Sequence, residues 1–201
     1  MNRLVLATRN PHKVAELRRI LTDSGVDIHL MGMDAFPNLH DVAETGTTFI
    51  ENALLKAHAV AAATGLPSVA DDSGLCVDVL GGMPGVFSAR WAGRHGDDQA
   101  NLDLVLAQLT DVPDDRRSAH FACAAALALP HGGDHVVEGR LSGSLIREPR
   151  GGNGFGYDPI FVPEGETRTT AEMSSAEKDA ISHRGRAFRA LAELLTQHLG
   201  H

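Results

Sequence analysis

Leu4-Val5-Leu6-Ala7, followed by Thr8-Arg9-Asn10-Pro11-His12-Lys13, is a short buried strand running into a turn that opens a helix. Pro11 falls in the first helical turn, where its missing N–H costs nothing. Val14, Leu17 and Leu21 then recur at helical spacing and bury one face. A turn feeding a helix start presents backbone N–H groups and the positive end of a helix dipole. Thr8, Asn10 and Lys13 add a hydroxyl, an amide and an ammonium, which together suit a phosphate. The plainer alternative is a capped helix with a surface lysine. The segment is not the P-loop pattern G-x-x-x-x-G-K-[ST].

The same alternation continues along the chain. Asp27 to Leu30 reads as a second strand. Thr48 and Glu51 have capping-box spacing for a helix reaching about Thr64, which Gly65-Leu66-Pro67 stops. Ser68-Val69-Ala70 is a short strand ending in an Asp71-Asp72-Ser73-Gly74 turn, and Cys76 to Leu80 resumes it. Leu102, Val105, Leu106 and Leu109 mark another helix. His120 to Leu129 and Val136 to Leu145 form a hairpin around His131-Gly132-Gly133-Asp134. A glycine-rich loop, Gly151 to Gly156, leads through Tyr157-Asp158-Pro159 into the strand Ile160 to Val162. Ser174 and Glu177 make a second capping box. A helical tail follows, with Phe188, Leu191, Leu194 and Leu195 on one face. Strands alternating with helices, plus one hairpin, predict an α/β fold with a mixed sheet.

Composition narrows the function. The chain has 201 residues, 43% hydrophobic and 22% charged, an ordinary globular make-up that excludes disorder as the main state. Its length suits one domain or two closely packed lobes. The longest apolar run, Phe121 to Leu129, is far short of the ~18–20 residues of a spanning helix, and the N-terminus does not read as a signal peptide. A formal net charge of −8 and a pI near 5.7 argue against a grip on a nucleic-acid polymer. An anionic ligand would need local cations or a metal. Cys76 and Cys123 read as packed cytosolic thiols rather than a disulfide or zinc site. Of 18 basic residues 15 are arginine, so Lys13, Lys56 and Lys178 are candidates for places that want a compact point charge.

Three further constellations carry chemistry. Asp71 and Asp72 at a strand end suit a hard cation such as Mg²⁺, with Glu44 and Glu51 as further oxygens. Neighbouring strand residues point to opposite sides, so the two aspartates need not share a role. The plainer alternative is a solvated Asx-turn. In Gly152-Asn153-Gly154-Phe155-Gly156-Tyr157-Asp158, glycines permit close backbone approach to a ligand and Phe155 suits stacking on a base. Lys178, His183 and Arg184 place three donors near a helix break expected at Gly185. His131 and His135 lie on a hairpin tip without partner cysteines, and Ser73 lacks a G-x-S-x-G elbow; neither reads as a site.

Taken together and in order, these segments resemble the inosine triphosphate pyrophosphatases, a house-cleaning nucleotide pyrophosphatase family. The matching stretches are Leu6-Ala7-Thr8-Arg9-Asn10-Pro11-His12-Lys13 and Glu44-Thr45-Gly46-Thr47-Thr48-Phe49-Ile50-Glu51-Asn52-Ala53 with Lys56. They continue with Ala70-Asp71-Asp72-Ser73-Gly74-Leu75 and Gly81-Gly82-Met83-Pro84-Gly85. Phe155-Gly156-Tyr157-Asp158-Pro159-Ile160-Phe161 and Ala180-Ile181-Ser182-His183-Arg184-Gly185 complete the set. Arg9 stands where family members often carry glycine.

The resemblance implies an α/β fold with an elongated central mixed β-sheet flanked by helices. Residues 1–201 would form one domain of two lobes with a substrate cleft between them. It implies a cytoplasmic homodimer and Mg²⁺-dependent hydrolysis of ITP, dITP, XTP and dXTP to the monophosphate and pyrophosphate. Mg²⁺ is assigned to Asp72 and Glu44, and Asp72 is the catalytic base. Thr8, Arg9, Asn10, Pro11, His12, Lys13 and Lys56 are assigned to the substrate, with Arg90 a weaker phosphate candidate. Ser73, Phe155, Gly156, Tyr157 and Asp158 complete the substrate set together with Lys178, His183 and Arg184. Arg184 or Lys178 aimed at the 6-keto oxygen would disfavour adenine, which presents a donor there; Asp158 is expected to help reject guanine's 2-amino group. Rival readings are a pyrophosphatase of the same fold acting on methylated pyrimidines or on dUTP and dTTP, a nucleotide sensor without turnover, and a serine hydrolase.

Overall fold

The computed structural model describes residues 2–199, with the side chains of Asn2, Pro11, His12 and Leu199 outside the description. The elements are β1 (Asn2–Leu6), α1 (Pro11–Asp23), β2 (Ile28–Gly32), α2 (Phe49–Thr64), β3 (Ser68–Val77), β4 (Met83–Pro84) and α3 (Asp98–Gln108). They continue with β5 (Ser118–Ala128), β6 (Asp134–Leu145), β7 (Phe161–Pro163), α4 (Ser175–Ile181) and α5 (His183–Leu199). The strands form one mixed sheet in the order β2-β1-β3-β5-β6-β7, with β4 paired to β3. β1 runs parallel to β2 and to β3, whereas β3–β4 and β6–β7 are antiparallel. The chain divides into two compact units: residues 1–72, 123–139 and 185–201, and residues 73–122 and 140–184.

Strand alternation builds unit 1. On β5, Cys123, Ala125 and Leu127 join a core formed with Leu17 and Leu21 of α1 and Phe188, Leu191 and Leu195 of α5. The intervening Ala124, Ala126 and Ala128 join Ala70 and α2's Ala53, Ala57 and Ala61 in a second core. Successive strand residues face opposite sides, so helices cover both faces of this part of the sheet. The alanine face needs little space between helix and strand, which brings α2 close to β3. α2 begins as read: Thr48 caps it with a full capping box to Glu51, and Gly65 ends it in the left-handed conformation at φ 67°. That conformation favours glycine for want of a Cβ.

In unit 2, Leu102 and Val105 of α3, with Leu109 just past its end, pack on Leu75, Val77, Phe121, Leu141, Leu145 and Phe161. Arg117 is 2% exposed there. It donates to the carbonyls of Leu145 (2.8 Å), Leu109 (2.8 Å) and Ile146 (3.2 Å). Arg117→Leu leaves three buried carbonyls without that donor and should cost about 3 kcal/mol in urea unfolding. A loss below about 1 kcal/mol would show that the carbonyls find other donors.

His120 gives a pH-dependent term. Its Nδ1 is buried without a hydrogen-bond partner and lies 3.8 Å from Asp78 Oδ1. Burial lowers its pKa most, Arg140 adds to this, and Asp78 opposes it. A base depressed in the fold adds stability above its unfolded pKa and loses it as pH falls through the folded one. His120→Gln should therefore flatten the fall in thermal stability between about pH 7 and about pH 5. An unchanged slope would assign that fall to other groups.

Two local expectations are corrected. β3 is one unbroken strand from Ser68 to Val77, so Asp71 and Asp72 sit inside it rather than in a turn. Ion-pair and amide partners from α1 and α2, described below, compensate the buried carboxylates. The helix break falls at Ser182, whose extended ψ of 153° separates α4 from α5, and Gly185 lies within α5.

Candidate active site

Unit 1 gathers the carboxylates and two of the three lysines. Asp71, 3% exposed, receives both of its oxygens' bonds from Lys13 Nζ, at 3.0 and 2.9 Å. Asp72 accepts from Asn52 Nδ2 at 3.0 Å, and its other oxygen lies 3.7 Å from Lys56 Nζ. Lys56 also donates to Glu44 at 2.6 Å. The adjacent aspartates thus meet different helices, as alternation along a strand requires. Asn52 and Lys56 lie one turn apart on α2 and both reach Asp72.

Charge in this cluster is strongly coupled. Burial raises the Asp72 carboxyl above its ordinary range; Lys56 opposes this and Glu44 reinforces it. Burial alone would lower the Lys56 ammonium, but Asp72, Glu44 and Asp71 together hold it above its ordinary value. Among the described residues no three His, Cys, Asp or Glu side chains are grouped closely enough to hold a metal ion. A dedicated cage is therefore missing, but Glu44 and Asp72 fit Mg²⁺, which commonly takes one or two carboxylates and completes its shell with water and phosphate oxygens.

The first turn is placed as expected. Thr8 Oγ1 accepts from the Asn10 backbone N–H at 3.1 Å, next to the start of α1. Arg9 does something that sequence reasoning did not anticipate. Its Nε donates to Asp41 at 3.1 Å and its Nη2 to the Leu39 carbonyl, linking this turn to the loop that carries Glu44. Pro11 and His12 enter only as the backbone opening α1, their side chains lying outside the description.

Unit 2 gathers the aromatic and remaining cationic residues. Phe155 is 59% exposed, with Lys178 Nζ 5.1 Å and the Arg184 guanidinium 6.0 Å from its ring centre. Asp158 is buried beneath this group. It accepts from Lys178, from the Phe155 backbone N–H at 2.9 Å and from Thr170 Oγ1 at 2.8 Å. Arg184 donates to Ser73 Oγ at 3.0 Å. His183 stacks on Phe121 at 4.9 Å, and Phe121 in turn packs at 4.7 Å on Phe161. Gly156 N–H donates to Asp98 at 2.9 Å.

Two further residues expected at the substrate take these partners in unit 2. The Tyr157 hydroxyl is buried and donates to the Ser88 carbonyl at 2.8 Å, and burial raises its pKa. Arg90 belongs to unit 2, and its guanidinium lies over Phe87 at 5.3 Å. Sequence reasoning gave no role to Asn52, Thr170, Phe121 or Asp98, whose parts depend on partners far along the chain. His135 stacks on His198 at 4.0 Å.

Carboxylates paired with lysines in one unit, and an exposed aromatic ring among cations in the other, are groups suited to a nucleotide, and the relatives that follow place the chain among nucleoside-triphosphate pyrophosphatases. Residues 4–194 match the Ham1 family. A dITP/XTP pyrophosphatase of Streptomyces coelicolor is 68% identical over 200 residues, covering 100% of both chains. The crystal structure of a nucleoside-triphosphatase / dITP/XTP pyrophosphatase from Mycobacterium abscessus is 56% identical with a TM-score of 0.80, covering 94% of this chain and 98% of that one. A HAM1 protein from Coxiella burnetii, 44% identical, superposes with a TM-score of 0.91 over 98% of this chain and 100% of its own. The chain belongs to the Ham1 family.

Proposed function

We propose that this enzyme hydrolyses ITP, dITP, XTP and dXTP to the monophosphate and pyrophosphate, removing deaminated purines from the nucleotide pool. The observation that carries the reading is whole-length kinship with pyrophosphatases named for dITP and XTP. The site residues supply a matching chemistry. In unit 1, Lys13, Lys56, Thr8 and Asn10 bind phosphate oxygens, and the lysines exchange carboxylate for phosphate partners as the triphosphate enters. Mg²⁺, held by Asp72 and Glu44, would neutralise phosphate charge and acidify the attacking water. Asp72 takes the proton of that water. The water's oxygen joins the α-phosphorus as the bond from that phosphorus to the α–β bridging oxygen breaks, and pyrophosphate leaves. In unit 2, the base stacks on Phe155 while Lys178 and Arg184 donate to its 6-keto oxygen, a position where adenine offers a second donor instead. His183 and the Asp158 loop complete the base contacts.

The reading extends to a homodimer working in the cytoplasm. No helix among the described residues is long and apolar enough to cross a membrane. Light scattering should return twice the 21.3 kDa chain mass.

The direct test is pyrophosphate release from dITP, XTP, dGTP and dATP, with Mg²⁺ and with excess chelator. Release from dITP and XTP alone, abolished by chelator, is the expected result. Stepwise phosphate release, or tight nucleotide binding without turnover, would point to the sensor or to another reaction. Held by the two carboxylates assigned to it, Asp72 and Glu44, Mg²⁺ should bind the free protein at millimolar level and tighten sharply with nucleotide present.

A further inference from the structure

We infer that Asn52 is a positioning residue that couples the Glu44-bearing loop to Asp72, setting the relation of the two carboxylates assigned to the metal; this rests on the function proposed above. Asn52 is fully buried in the first turns of α2. A buried amide must satisfy both its ends, and here the two ends reach different parts of the site. Nδ2 donates to Asp72 Oδ2 at 3.0 Å. Oδ1 accepts the Gly46 backbone N–H at 2.8 Å. One side chain therefore fixes the rotation of the Asp72 carboxylate and anchors the chain two residues after Glu44.

A second observation supports the coupling. A Cβ at Gly46 would lie 2.7 Å from Asn52 Oδ1 and 2.6 Å from Glu51 Cβ. The loop approaches α2 so closely that only glycine fits. Glu51 holds the next two residues by accepting from Thr47 N–H at 2.6 Å and Thr48 N–H at 3.2 Å. Glu44 is thus carried to Lys56 by a loop clamped at 46–48, and Asn52 is the one member of that clamp that also touches Asp72. Its neighbour one turn on, Lys56, lies against the other oxygen of Asp72 and against Glu44. Asn52 therefore acts through Asp72 and Glu44, without any assigned contact to substrate.

Two replacements of different kind separate positioning from packing. Asn52→Asp keeps the shape and the acceptor for Gly46 but removes the donor to Asp72 and adds a like charge. Asn52→Ser is smaller and cannot span both partners. For each, kcat and KM for dITP, the Mg²⁺ concentration at half-maximal rate, and thermal stability are measured. Calorimetry gives the Mg²⁺ dissociation constant in the presence of the non-hydrolysable α,β-methylene analogue of ITP. Expected is a 10–100-fold weaker Mg²⁺ affinity and a similar loss of kcat, as for other groups that orient metal ligands, with KM changed less than about threefold. Asp should be the worse of the two. Unchanged Mg²⁺ affinity in a folded variant overturns the inference, as does failure of both variants to fold, which would make Asn52 structural only. If the unaltered enzyme releases no pyrophosphate, the functional reading itself has failed, and the calorimetry still reports on Asn52 separately.

Discussion

Asp72→Asn is expected to lower kcat for dITP by about 10³-fold while leaving the fold intact. In the mechanism proposed above, this combines loss of the base, worth about 10²–10⁴, with loss of an anionic metal ligand. A thousandfold loss corresponds to about 4 kcal/mol of transition-state stabilisation. The amide is nearly isosteric, and its oxygen can still accept from Asn52, which lies 3.0 Å from the carboxylate it replaces. Burial disfavours the charged Asp72, with Glu44 adding repulsion and Lys56 opposing. An uncharged group there should give a melting temperature no lower than that of the parent chain, in line with the usual trade between stability and activity at functional sites. Pyrophosphate release with matched thermal scans checks both halves. Activity within tenfold of the parent would remove Asp72 from the chemistry, and a large fall in melting temperature would make it a scaffold residue.

Asp158→Ala should combine a stability loss with a loss of substrate handling. The carboxylate is 2% exposed and is the acceptor for Lys178, Phe155 N–H and Thr170 Oγ1. Its removal strands three donors, one of them a cation. Breaking a buried pair on one side costs about 3–5 kcal/mol. Lys178 keeps some solvent access, with its side chain 18% exposed, so about 3 kcal/mol is the expected loss in urea unfolding. Phe155 loses its backbone anchor and Lys178 its orientation. kcat/KM for dITP and XTP should then fall about 100-fold, mostly through KM, because the base contacts and not the reacting phosphorus are disturbed. Asp158→Asn, which keeps an acceptor, should fall between. A variant that loses stability but handles dITP and XTP normally would limit Asp158 to packing.

Much of the fold was legible because its signals are local. The limits of α2 follow from Thr48, Glu51 and Gly65, and the β5–β6 hairpin follows from two apolar runs around a glycine turn. The residue types of the site were legible as motifs, but the partners their side chains take within the fold were not. Lys13 pairs with Asp71, and Lys56 with Glu44 and Asp72, partners that no local pattern names. Tyr157 and Arg90 were read toward substrate, and one is bound to Ser88 while the other lies over Phe87. Arg9 stands where glycine is frequent, and its ties to Asp41 and Leu39 give that arginine a structural task.

The sequence by itself determined which segments become helices and strands and which residue types reach the site, because caps, glycine stops and apolar periodicity act over a few residues. Only the tertiary structure decided that Asp71-Asp72-Ser73-Gly74 continues a strand. Locally those residues favour a turn, since two adjacent carboxylates are costly to bury. The strand survives because Lys13, 58 residues before Asp71, and Asn52, 20 residues before Asp72, bring the donors that make burial tolerable. Charges can be buried only beside their partners, and no local pattern encodes partners that far away.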